Sequence, residues 1–178
     1  MAERRLVAFH RWEDDPTIFL VGFVQVIEAD SIQFALVDST GGPDEELSVP
    51  LDEIVWFDFD TDYLRGLEKL YLRHSEIIGP KPSAGLKVTN TEAIRMALVN
   101  AVAQQAAITF RIDKESIDAI PIEVEGNYFN YIQLEDGGRP DGAFWLRIDV
   151  VKELKMGSDR QIADRYLYDL WQSHKEQT

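Results

Sequence analysis

Residues 30–54 read DSIQFALVDSTGGPDEELSVPLDEI, and residues 127–151 read NYFNYIQLEDGGRPDGAFWLRIDVV. A constant shift of 97 lays Asp30 on Asn127, Phe34 on Tyr131, Asp38 on Glu135, Gly41 on Gly138, Pro43 on Pro140, Asp44 on Asp141 and Asp52 on Asp149. Each match is an identity or a conservation of chemical type, and none needs a gap. Apolar residues alternate on either side of Gly41-Gly42 and Gly137-Gly138. That is the pattern of two strands joined by a turn in which glycine supplies positive φ. The chain is therefore read as one hairpin used twice through an internal duplication. The expected fold class is mainly β with flanking helices, an α+β protein of two small domains.

A chain of 178 residues can hold one domain or two small ones, and the repeat selects two. With 45% hydrophobic and 11% aromatic residues, there is enough apolar side chain for two cores. Cysteine is absent, which excludes disulfides and thiolate metal sites and fits a reducing, cytoplasmic location. The opening MAERRLVAFHRWEDD lacks the apolar run of a signal peptide. No stretch approaches the roughly 18–20 apolar residues of a membrane span, so no membrane partner is expected. The net charge is −14, with acids in excess in both halves. A protein that grips a phosphate backbone shows a basic stripe, and none is visible. Nucleic acid is thus disfavoured as a partner.

Taken in order, residues 5–12 read as a strand, Glu13-Asp14-Asp15-Pro16 as a turn, and 17–27 as a long β-rich run with a bulge or sharp bend at Gly22. Strands follow around Ile32–Leu36, Leu47–Leu51 and Ile54–Phe57, with Pro50 marking an edge. Asp60-Thr61 starts a helix with Tyr63, Leu64, Leu67, Leu70 and Tyr71 on one face. Two prolines and two glycines in 76–88 mark a linker. Thr89 and Glu92 have capping-box spacing and open a helix to about Ala107. The second set of strands is ITFRI, IDAIPIEV, YFNYIQL, AFWLRI and VVKEL, with Pro121 a possible edge blocker. Gly157-Ser158 breaks the chain before a last helix with Ile162, Tyr166, Leu167, Leu170 and Trp171 on its apolar face. The expected domains are 1–75, a small barrel plus helix, and 90–178, a helix, a second barrel and a helix, joined by a linker at 76–89.

Five short bent strands with a helix before or after them resemble the SH3-type small barrel, and the leading helix of the second half resembles its Sm-like version. The Sm family's first motif is D-x-(large apolar)-N-x-x-L. Asp30-Ser31-Ile32-Gln33-Phe34-Ala35-Leu36 fits it with Gln in place of Asn. Asn127-Tyr128-Phe129-Asn130 fits its front, and Gln133 stands where Leu is expected. The second motif, an Arg-Gly or Lys-Gly pair, is absent. Val49-Pro50-Leu51-Asp52 and Leu146-Arg147-Ile148-Asp149 occupy its place. The resemblance implies two small SH3/Sm-like barrels. It also implies a rim at Asn127, Tyr128, Asn130 and Arg139, where the family stacks single-stranded RNA.

Other motifs read as structure. Asp58-x-Asp60-x-Asp62 opens like a calcium loop, but Tyr63 and Lys69 stand where Gly and a bidentate Glu are required. It reads instead as carboxylates at a helix N-terminus. His10, His74 and His174 have no metal-ligand spacing. There is no nucleophile elbow and no phosphate loop. Strand neighbours point to opposite faces, so Trp56 and Phe57, like Phe144 and Trp145, cannot share one core. These readings give a non-catalytic intracellular binding or assembly module without a cofactor. Its expected partner is a protein or a second copy, with Trp56 or Trp145 at a dimer interface. An Sm-like protein binding RNA or a small ligand is the alternative, and an enzyme built on a carboxylate pair is a third.

Overall fold

A computed structural model describes residues 5–12, 19–79 and 83–175. The Glu13–Pro16 turn, the start of the following run and the middle of the expected linker lie outside these residues. The chain divides into two compact units between His74 and Ser75. Both are antiparallel sheets with helices, so the α+β class holds.

The first unit contains β1 (Leu6–Arg11), β2 (Leu20–Ile27), β3 (Ser31–Val37), β4 (Pro43–Pro50), a 3-10 turn (Leu51–Glu53), β5 (Ile54–Phe59) and α1 (Asp62–Leu72). One turn of helix, α2 (His74–Ile77), follows at the boundary. The strand order is β4-β3-β2-β1-β5. Period-two alternation sends Val7, Phe9, Ile32, Phe34, Leu36 and Val49 into one core. Phe9 stacks on Phe34 with ring centres 4.1 Å apart. The Thr61 hydroxyl caps α1 by accepting from the Leu64 amide. Leu64, Leu67 and Leu70 are buried, the stripe that their spacing predicts.

The second unit contains β6 (Ala84–Val88), α3 (Thr91–Gln104), β7 (Ile108–Ile112), β8 (Glu115–Glu125), β9 (Tyr128–Leu134), β10 (Pro140–Arg147), a 3-10 turn (Ile148–Val150), β11 (Glu153–Ser158) and α4 (Asp159–Lys175). Its order is β10-β9-β8-β7-β11-β6. α3 lays Ile94 and Leu98 on a core that includes Phe110, Phe129, Ile148 and Leu154. Ile120, Leu134 and Tyr168 form a second, smaller cluster.

The offset of 97 runs through the backbone. β3 and β9, β4 and β10, and the two 3-10 turns that follow β4 and β10 begin and end at equivalent residues. The bulge between Val24 and Val26 on β2 recurs between Pro121 and Glu123 on β8. Gly41 and Gly138 take φ of 75° and 74°. A Cβ on Gly41 would meet Leu70 and the Tyr71 amide, and one on Gly138 would meet Leu167 and the Tyr168 amide. Those helix residues keep the same offset. The hairpin turn is thus locked under its helix in the same way in both units.

Several expectations are corrected. The barrels are not closed: β4 and β5 end one sheet, and β10 and β6 end the other, with no ladder joining them among the described residues. In the second sheet the free side of β11 is occupied by β6, so β10 cannot close onto it. Residues 84–88, expected in the linker, are that sixth strand. Gly22 is not the bulge; a Cβ there would lie 2.7 Å from the Ala35 carbonyl oxygen, so it permits close strand approach. Pro121 lies in a central strand, at a bulge where a missing N–H is tolerated, and blocks no edge. Asn90, not Thr89, caps α3, accepting from the Glu92 and Ala93 amides. β11 ends at Ser158 and α4 starts at Asp159, so the expected break before the last helix is present. The buried face of α4 is Gln161, Ala163, Asp164, Leu167 and Tyr168, not the stripe through Ile162, Tyr166 and Leu170. The offset explains this: Gln161 and Asp164 occupy the positions of Leu64 and Leu67, so polar residues hide a buried face.

Candidate functional site: an aromatic face on the second sheet

In the ladder of β9 and β10, Tyr128 lies opposite Arg147 and Asn130 opposite Trp145. Glu123 of β8 lies opposite Asn130 on the other side. Directly paired residues project from the same face of a sheet, so these five form one surface. Tyr128 is 49% exposed and Trp145 51%. Together with Glu125, Gly126 and Asn127 of the β8–β9 turn they line a shallow hollow of about 460 Å³. The turn is held from below by α3. Arg95 donates to the Gly126 carbonyl and, at 2.6 Å, to Asn127 Oδ1.

The face carries few groups that could act on a bound partner by charge. Arg147 donates through Nε to Asp149 at 3.0 Å. That bond holds the Asp149 carboxyl below its usual range and the Arg147 guanidinium above its own. Asn130 donates to Glu123 at 3.5 Å, a weak bond, while its Oδ1 is buried without a partner. The hollow offers two aromatic rings, an amide and a carboxylate, and Arg147 adds a cation to the face beside it. That set suits stacking and hydrogen bonding to a partner surface.

Of the four expected rim residues, Asn127, Tyr128 and Asn130 come together. Arg139 does not. It lies beyond the far end of β9, about 20 Å along the strand, and pairs with Glu135. Trp145, expected at an interface, lies on the same face as these rim residues. Trp56 is 42% exposed and stacks on His10 at 4.1 Å in the first unit. Phe144 and Trp145 point to opposite faces, and both remain exposed because β10 is an edge. The Asp58, Asp60 and Asp62 carboxylates pair with His10 and Arg65. No group of carboxylates and histidines among the described residues is arranged to hold a metal ion.

The chain matches no family model, no curated protein and no solved structure.

One cluster escaped sequence reading. Arg160 on α4 donates to Asp164 and to Asp118 of β8, both at 3.2 Å, and lies near Asp136. Gln161 donates to the Thr109 hydroxyl at 2.7 Å. Burial pushes the Asp164 carboxyl up to about 7; Arg160 opposes this, but Asp118 and Asp136 add to it. One cation cannot satisfy three carboxylates, and a proton on Asp164 reduces the excess negative charge. The spacing of Arg160 and Asp164 was the available signal. In the folded protein the cluster fixes the rotation of α4 against β7 and β8. No helix among the described residues is long and apolar enough to cross a membrane.

Proposed function

We propose that the protein is a non-catalytic binding and assembly module whose working surface is the face of Tyr128, Asn130, Trp145 and Arg147. The observation that supports this reading is the contrast with the equivalent face of the first unit. There the same backbone presents Ser31, Gln33, Ser48 and Pro50. Glu28 accepts from the Ser31 hydroxyl at 3.2 Å and from Gln33 at 3.1 Å, so that face satisfies itself. Two half-exposed aromatics beside an arginine are a different matter. Such rings are poorly hydrated, and Trp, Tyr and Arg dominate the energetics of protein contact surfaces. The shared strand order, bulge and locked turn support an origin of both units from one five-stranded antiparallel plan by duplication. One copy then keeps a quiet surface while the other presents a contact.

Glu123 and Glu125 border the face, and the chain is acidic overall, which favours a protein partner over a polyanion. The second reading, single-stranded RNA, draws on Tyr128 with its neighbouring amide and Arg147, groups that stack bases. The test is affinity capture from the native host with the wild-type chain and with Tyr128→Ser/Trp145→Ser, which installs the residues of the first unit. Captured proteins that vanish in a variant of unchanged melting temperature uphold the reading. Equal capture by both chains refutes it. Capture abolished by nuclease replaces it with RNA binding.

A further inference from the structure

β10 pairs with β9 on one side and, among the described residues, has no strand on the other. Such an edge offers a row of N–H and C=O groups that pair with another chain unless the sequence blocks them. The equivalent edge, β4, is blocked. It begins at Pro43, ends at Pro50, and carries the consecutive acids Asp44, Glu45 and Glu46. β10 lacks these devices. After Pro140 it has no proline, and its centre is Ala143-Phe144-Trp145-Leu146. Phe144 is 43% exposed. Its charges stand near the two ends and are opposite, Asp141 and Arg147.

That arrangement is complementary to itself. If β10 pairs antiparallel with a second β10 across a twofold axis at Phe144, each Asp141 falls opposite Arg147 of the second copy. Ala143 then falls opposite Trp145, and the two Phe144 rings meet on the axis. Opposite charges paired across strands stabilise a ladder, and like charges oppose it. The same register in β4 would set Asp44 against Pro50, a charge without a counter-charge and a residue without an N–H. Inside the single chain the Asp141 end is weakly committed, whereas Arg147 sits in an exposed ion pair that a second copy's Asp141 would join. Asp141 accepts from Gln133 at 3.4 Å, and Arg147 is held at the surface by Asp149. β11 is not an edge, because β6 pairs with it and ends the sheet in its place.

Resting on the assembly reading above, we infer that the occupant of this edge is a second copy of the chain. The two β10 strands join antiparallel about Phe144 and make one continuous sheet through two second units. An isologous contact of this kind closes on itself and stops at a dimer.

Light scattering of the full chain over a range of concentrations tests this. The expected mass is twice 20.4 kDa. Asp141→Arg and Arg147→Asp each place like charges opposite one another and are expected to give the single-chain mass. The double exchange Asp141→Arg/Arg147→Asp restores the pairs and the dimer. A wild-type mass of 20.4 kDa at every concentration overturns the inference, as does a dimer indifferent to both single exchanges or a mass that grows without limit. If either variant fails to fold, hydrogen exchange of the wild type decides. Amides of β10 are expected to slow several-fold between dilute and concentrated samples, and unchanged rates overturn the inference. A monomeric wild type whose captured proteins still depend on Tyr128 and Trp145 would sink the dimer and leave the binding reading intact.

Discussion

The hairpins of β3–β4 and β9–β10 share a backbone and present opposite surfaces. Their inward residues are Ile32, Phe34 and Val49 in one and Phe129, Tyr131 and Leu146 in the other, all apolar or aromatic. Their outward residues differ in kind, small and polar against aromatic and cationic. The turn glycine, the bulge and the core positions are what the backbone requires, so they persist. Outward positions touch only solvent or a partner, so they report what each unit does. The helices make the same point in reverse. At equivalent buried positions α1 has Leu64 and Leu67, and α4 has Gln161 and Asp164. A buried position therefore tolerates polarity when the sheet beneath supplies Thr109 and a helix neighbour supplies Arg160.

The largest expected effect tests whether the cores are equivalent. Phe9 and Phe110 are 101 residues apart, yet they pair with Phe57 and Leu154, which keep the offset of 97. Phe9→Ala and Phe110→Ala should each cost about 3–5 kcal/mol in denaturant unfolding. A cost below about 1 kcal/mol in either would break the equivalence. Next comes pH. In the folded chain Asp164 holds its proton up to about 7, far above an unfolded aspartate. Folding therefore binds a proton in that window, and the stabilisation is complete at about pH 4 and is lost as pH rises through about 7. The loss is on the order of a few kcal/mol. Asp164→Asn should flatten the pH dependence, measured by urea unfolding at several pH values; an unchanged slope would place the proton elsewhere.

Gly41→Val and Gly138→Val sharpen the comparison of the turns. Positive φ costs each about 1–3 kcal/mol, read as a drop in melting temperature. Gly138→Val should be the worse of the two. Its new Cβ would meet Leu167 Cβ and the Tyr168 amide at 2.6 Å, whereas at Gly41 the nearest atom, at 2.7 Å, is Leu70 Cγ, which can swing aside. The smallest stability effect is expected on the outward face. Tyr128→Ser and Trp145→Ser should each shift stability by less than about 1 kcal/mol, since both side chains are half exposed. A larger loss in thermal unfolding would mean that these rings are part of the core and not a contact surface.

The sequence by itself determined the repeated hairpin, most strand positions, both turn glycines and the apolar stripe of α1. These are local properties: alternation, φ requirements and helical spacing are written in near neighbours. The Sm-like resemblance grouped Asn127, Tyr128 and Asn130, and they do lie together because they are near neighbours on one strand and its turn. Only the tertiary structure decided that residues 84–88 pair with β11, that Arg139 stands at the far end of the hairpin, and that Trp145 faces the same side as Tyr128. It alone buried Asp164 beside Arg160. Each of these depends on which strand or helix, distant in sequence, supplies the hydrogen bond or the counter-charge, and periodicity holds no record of a partner that far away.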